Sequence, residues 1–135
     1  MGGLAVRPVT TRADRKAFID FAYRVNAGDP NWVPPLKSEV AATIDPRKNG
    51  WFSHAEGQLF LAERGGKTVG RISAHIDFLA LEMPPEQGFG PGTGFWGMFE
   101  AADANAAKAL LNTAEQWLRN KSMTRALGPV SLSIW

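Results

Sequence analysis

Apolar and polar positions change period several times along the chain. Leu4 and Val6 alternate with Ala5 and Arg7 before Pro8, the pattern of a short strand that ends early or lies at a sheet edge. Thr11 and Asp14 have the spacing of a capping box, with Asp14 in place of the usual Glu, and Phe18, Phe21, Ala22 and Val25 follow at helical spacing. Together they predict a helix from Arg12 to about Asn26. Gly28-Asp29-Pro30 ends it. In Asn31-Trp32-Val33-Pro34-Pro35-Leu36 the prolines stiffen the backbone, and Trp32, Val33 and Leu36 are expected to pin the segment to the core. Lys37 to Ile44 can form a second short helix, closed by Asp45-Pro46. Asn49-Gly50 signals a turn, and Trp51 to Ala55 is a compact aromatic segment leading into a sheet.

Gln58–Glu63 and Lys67–Asp77 read as a hairpin turning through Gly65-Gly66. In its second arm Gly70, Ile72, Ala74 and Ile76 make a small apolar face suited to a close-packed helix. Val69, Arg71, Ser73 and His75 make a mixed one, and Arg71 is expected to pair with Glu63 across the hairpin in preference to a ligand phosphate. Leu79 to Thr93, rich in proline and glycine, reads as a long loop. Phe95 to Glu100 carries large residues on both sides, as a central strand does. The clearest helix follows. Ala107, Leu110, Leu111, Ala114, Trp117 and Leu118 recur at offsets of three and four, and Asp103 is placed to cap them. Ala126 to Trp135 returns to alternation, with Val130, Leu132 and Ile134 on one side, and stops in mid-pattern, so a chain cut short is expected. The order β-α-α-β-β-β-α-β predicts mixed α/β packing, because each apolar face needs a partner layer.

Composition narrows the function classes. The 135 residues suffice for one domain with one core. No apolar run approaches the roughly 20 residues that cross a bilayer, and Met1 to Val9 lacks the apolar core of a signal peptide, so no membrane association is expected. Cysteine is absent, which removes disulfides, thiolate catalysis and cysteine-based metal sites, and the expected location is the cytoplasm. The 15 basic and 13 acidic residues are mixed along the chain, without the patch that nucleic acid would need. His54 and His75 lack metal-site spacing, so no metal is expected. Gly92 to Gly97 formally matches GxGxxG. A loop precedes it and a strand follows, so its glycines are read as points of close backbone approach rather than a dinucleotide site.

The segments Asp29 to Leu36, Phe60 to Glu63, Val69 to His75 and Gly94 to Glu100 resemble a bacterial branch of the GCN5-related N-acetyltransferase (GNAT) superfamily, and the resemblance runs from Leu4 to Trp135. It implies an acyl-CoA N-acyltransferase-like fold, three-layer α/β/α, as a single domain over 1–135. It also implies transfer of an acetyl group from acetyl-CoA, or another acyl group from its acyl-CoA, to an unknown amine. Gly94–Glu100 would be the fourth strand, splaying from Ala126–Trp135 with the pantetheine arm in the gap, bonded to backbone at Phe99 and Glu100. Asn105, Ala106 and Ala107 would offer backbone N–H groups to the pyrophosphate. Glu100 is the candidate base for the amine. The family's pyrophosphate phrase is glutamine or arginine, two residues, glycine, one residue, then glycine or alanine. It falls on Ala102 to Ala107, where only Ala107 conforms and Asp103 adds a negative charge. The resemblance further implies a fourth helix and two more strands that this chain lacks, so a second copy could complete the sheet as a homodimer. The departures leave two other readings, a non-catalytic binding or assembly module and an inactive fragment of a longer enzyme.

Overall fold

A computed structural model of the chain describes residues 3–83, 91–130 and 132. Strand β1 (Leu4–Pro8) leads into helix α1 (Arg12–Val25), short helix α2 (Lys37–Thr43) and a 3₁₀ turn at Gly50–Ser53. Strands β2 (Ala55–Arg64) and β3 (Lys67–Asp77), helix α3 (Phe78–Glu82), strand β4 (Thr93–Ala101), helix α4 (Ala104–Asn120) and strand β5 (Arg125–Leu127) follow. The expected order of elements is present, with α3 added.

Local chemistry explains most boundaries. Both halves of the capping box form at α1: Thr11 accepts from the Asp14 N–H at 3.0 Å, and the Asp14 carboxylate accepts from the Thr11 N–H at 3.2 Å. Arg7 of β1 donates to Asp14 at 2.8 Å, which holds that carboxyl well below its ordinary range and ties strand to helix. Gly65 and Gly66 take φ of 60° and 78°, the left-handed pair that a tight two-residue hairpin requires. Asp103 caps α4 by accepting from the Ala106 N–H at 2.8 Å.

The sheet runs β1-β2-β3-β4-β5, antiparallel through β4 and parallel between β4 and β5, with α4 as the crossover. One face packs Phe60, Ala62, Ile72, Ala74 and Ile76 against Ala106, Leu110, Ala114 and Leu118 of α4, all buried. Gly70 and Gly94 let α4 approach: a Cβ on Gly70 would come within 2.6 Å of Leu110 and 3.1 Å of the Glu100 carbonyl, and one on Gly94 would strike Leu118. The other face is covered by α1, α2 and the 3₁₀ turn, where Ile19, Ile44, Trp51, Ala55 and Leu132 form a second, smaller cluster. The result is three layers.

Four expectations change. Val33 and Leu36 are 85% and 64% exposed, so the proline-rich segment is not pinned to the core. It is held instead by Tyr23 of α1, whose hydroxyl donates to the Pro35 carbonyl and whose ring meets Trp32 edge-on at 5.2 Å. The expected loop from Leu79 begins as helix α3, because the Asp77 carboxylate accepts the Leu79 and Ala80 N–H groups at 3.0 and 3.2 Å; residues 84–90 lie outside the described residues. Strand β5 stops at Leu127, before Pro129, which has no N–H to give; Ile134 and Trp135 lie outside the described residues. Arg71 does not meet Glu63. The register sets Arg71 opposite Leu61, while Glu63 lies opposite Thr68 and takes Arg7 as its partner.

Candidate functional site

Beyond β5 the edge of β4 opens. The β4–β5 ladder covers Thr93 to Phe95, and the Val130 N–H adds one bond to the Trp96 carbonyl at 2.9 Å. Among the described residues no strand pairs with that side of β4 from Gly97 to Ala101. At this point the pairing with β3 also shifts: Ser73 lies opposite Gly97 and Arg71 opposite Glu100, so Met98 and Phe99 together oppose the single residue Ile72. The extra residue makes a β-bulge, with Met98 at φ 48°, a strained left-handed conformation for a side chain of its size. The bulge turns Met98 toward the α1 face, while Phe99 packs with Trp96 on the α4 face at 5.7 Å. Strand β4 therefore presents re-aimed, unladdered backbone where a thin ligand can lie along it.

Glu100, the expected base, ends this edge on the α1 face. Its carboxylate accepts from Asn26 Nδ2 at 3.2 Å, and Asn26 in turn caps the C-terminus of α1. Cross-strand from it, the Arg71 guanidinium is buried, donates to the Phe18 carbonyl at 3.0 Å and lies over the Phe18 ring. Burial lowers the Arg71 pKa, and the Glu100 charge opposes that shift.

The start of α4 is the expected pyrophosphate seat, and Asp103 fills it. Its carboxylate accepts from Ala106 and also faces the Asn105 N–H, while its backbone carbonyl takes the Ala107 N–H at 3.0 Å. Arg64, at the hairpin end of β2, donates to the same carboxylate at 2.7 Å and holds it below its ordinary pKa. Two of the three expected donors, the Asn105 and Ala106 N–H groups, thus face a built-in anion, and the third is taken by a helical bond to the Asp103 carbonyl. A diphosphate fits only by displacing Asp103 from those N–H groups, and Arg64 is then a cation already in reach of it. At the β4 edge the Val130 backbone lies against Gly97, where a Cβ would meet its carbonyl. Sequence reasoning missed Arg64; the signal lay in the register, since β3 brings the hairpin turn beside the β4 end, where the Ala102 N–H donates to the Val69 carbonyl at 2.8 Å.

His54 and Asp77 are 3.1 Å apart, with the Trp51 indole N–H donating to the same Asp77 carboxylate at 2.9 Å, an arrangement that fastens the 3₁₀ turn to the end of β3. Among the described residues no three His, Asp or Glu side chains converge as a metal site would need. None of the described helices is long and apolar enough to cross a membrane.

No family model matches the chain. A bacterial ceramide synthase from Caulobacter vibrioides is 47% identical over 132 residues, which is 97% of this chain and 33% of that protein. Protein YghO from Escherichia coli K12 is 38% identical over 130 residues, 96% of this chain and 32% of that protein. The chain thus spans about a third of the length of both relatives. Among solved structures, a tandem GNAT protein from the clavulanic acid biosynthesis pathway superposes with a TM-score of 0.66 at 15% identity, over 98% of this chain and 38% of that one. The aminoglycoside N-acetyltransferase AAC(6')-Iy in complex with CoA gives 0.65 at 14% identity, over 97% of this chain and 79% of that one. A predicted acetyltransferase with acetyl-CoA from Clostridium acetobutylicum gives 0.64 at 12% identity, over 96% and 82%.

Proposed function

Because the chain has the fold of the GCN5-related N-acetyltransferases, we propose that it is the donor-binding part of an acyl-CoA-dependent N-acyltransferase. The observation that carries this reading is the open, bulged edge of β4 beside β5 in that fold. The backbone at Phe99 and Glu100 would run alongside the pantetheine arm, and Arg64, released from Asp103, would hold the diphosphate. A ceramide is a fatty acyl amide of a long-chain amino alcohol. The 47% identity to a ceramide synthase therefore supports a long-chain acyl thioester as donor and the amine of such an alcohol as acceptor.

In the reaction the amine nitrogen bonds to the thioester carbonyl carbon and the C–S bond breaks. Glu100 takes the amine proton directly or through one water, and the departing thiolate is protonated in turn. Asn26 donates to the Glu100 carboxylate on the α1 face, and the buried Arg71 guanidinium lies across from it on β3.

Isothermal titration with octanoyl-CoA, short enough to stay monomeric, and with free CoA tests the reading. Micromolar binding of the thioester is expected. No heat at saturating concentrations would sink it.

A second reading has its own support. The Asp103 carboxylate at the start of α4 suits a non-catalytic assembly module, in which the β5 edge pairs with a second copy. Concentration-dependent association by sedimentation, with no thioester cleavage and no CoA binding, is its signature.

A further inference from the structure

Donor binding leaves one feature of the sheet unexplained. Arg71, Ser73 and His75 follow one another down the α1-facing side of β3, only 9%, 0% and 2% exposed. Among the described residues Arg71 Nε, Ser73 Oγ and both ring nitrogens of His75 have no hydrogen-bond partner. Buried polar atoms are nearly always paired, because an unpaired one loses its water and gains nothing. Three in register along a central strand are not scattered packing errors. Valine or leucine at these positions would fill the same face without that loss.

The surroundings define what fits. His75 is stacked on Phe95 at 5.7 Å and meets Trp51 edge-on at 5.6 Å, so its ring is fixed in orientation. Across β2 its neighbour is Gly57 and that of Ser73 is Leu59. Both of these line a cavity of about 190 Å³ whose other walls include Ile44, Phe52 and Leu132. Arg15 and Gln58 line it too, and the polar row lies one strand over, beside Gly57 and Leu59 rather than on its wall. A cation is disfavoured by the buried Arg71 guanidinium in the same row, and an anion by Glu100 directly across from it. An uncharged hydroxyl can donate to the bare imidazole nitrogen and accept from Ser73. The imidazole is itself neutral, its pKa pushed down to about 4 by burial.

We propose that Ser73 and His75 bind the hydroxyl group of a long-chain amino alcohol whose hydrocarbon enters the neighbouring cavity. This rests on the acyltransferase reading and names the part of the acceptor that the site recognises. The amine is left toward the β4 edge beyond Gly97, which lies opposite Ser73 and whose own side-chain position is taken by the Val130 backbone. No covalent step is assigned to either residue.

The chain has two histidines, so the ring nitrogens of ¹⁵N-labelled protein give two resolvable sets of NMR signals, and His75→Phe identifies which belong to His75. The probes are 2-aminodecan-1-ol and 1-aminononane, which differ by the hydroxymethyl group. The amino alcohol is expected to shift the His75 nitrogens and to bind about tenfold more tightly than the amine, the discrimination of one well-placed hydrogen bond. Ser73→Ala, a smaller change that leaves the ring stack intact, should abolish that preference while octanoyl-CoA binding stays within about twofold. Unmoved His75 signals at saturating amino alcohol, with octanoyl-CoA still bound, would mean that the row holds water only and would overturn the proposal alone. Loss of octanoyl-CoA binding in the unmodified chain would instead overturn the donor reading, and the His75 shift would still decide the hydroxyl slot.

Discussion

His75 carries an energetic consequence of its own. Burial between Trp51 and Phe95 lowers its pKa from 6.5 to about 4, with only Asp77 pulling the other way. A histidine that protonates more readily in the unfolded chain stabilises the fold fully above pH 6.5. That stability is lost as pH falls from 6.5 toward 4, by about 3 kcal/mol at the lower end. Urea unfolding of the wild type and His75→Phe at pH 7.5, 5.5 and 4.5 isolates this contribution from that of the carboxylates. The difference between the two proteins should favour the variant increasingly as the solution becomes acidic. A difference independent of pH would show that the imidazole is not held neutral. Asp103 makes a second residue-level prediction. Asparagine caps helices about as well as aspartate, so Asp103→Asn preserves the start of α4 while removing the charge that faces Asn105 and Ala106. Titration calorimetry should then show CoA binding about three- to tenfold tighter, since an anion at a helix N-terminus no longer meets a carboxylate and Arg64 is free. Unchanged affinity would mean that the diphosphate does not sit there.

Among the elements, those with their own caps and periods were legible in the sequence. Thr11 and Asp14 announce α1, Gly65-Gly66 announces the β2–β3 turn, and the leucines and alanines of α4 announce both a helix and the small-residue face of β3 that receives it. What could not be read depends on partners distant in sequence. The bulge at Met98 exists only in the pairing with β3, Arg64 meets Asp103 only once the sheet is assembled, and the proline-rich segment meets Tyr23 through the Pro35 carbonyl and Trp32 rather than through Val33 and Leu36. Glu100 was placed correctly at the end of β4, but nothing in the sequence indicated that Asn26 would reach it. The glycines of the α4 contact test the packing directly. Gly94→Ala puts a methyl group against Leu118 and should destabilise by about 1–3 kcal/mol at unchanged urea m-value. Gly50→Ala meets open space and should stay within about 0.5 kcal/mol. Equal effects would mean that α4 does not pack as closely on β4 as the structure has it.

At the scale of the whole molecule the two sides of the sheet are unequal. The α4 side is a continuous apolar core reaching from β1 to β4, with four residues of the helix itself buried. The α1 side carries the orphaned polar row, a smaller apolar cluster and α2, a seven-residue helix with no buried residue and no side-chain cap. A helix of that length is marginal without packing, so its local opening should cost little. In the reading proposed above, such a face admits a hydrocarbon chain while β4 stays braced from behind by α4. Amide hydrogen exchange read by mass spectrometry should show Lys37–Thr43 exchanging at least about a hundredfold faster than Ala104–Asn120 in the free protein. With saturating 2-aminodecan-1-ol, protection should rise in α2 and in Gly50–Leu59, which carry the Ile44-side and Leu59 walls of the cavity, and α4 should barely respond. Protection gained equally on both sides would indicate general stabilisation rather than occupation of the α1 face. Protection gained at α4 alone would place the amphipathic ligand on the opposite side of the sheet from the hydroxyl slot.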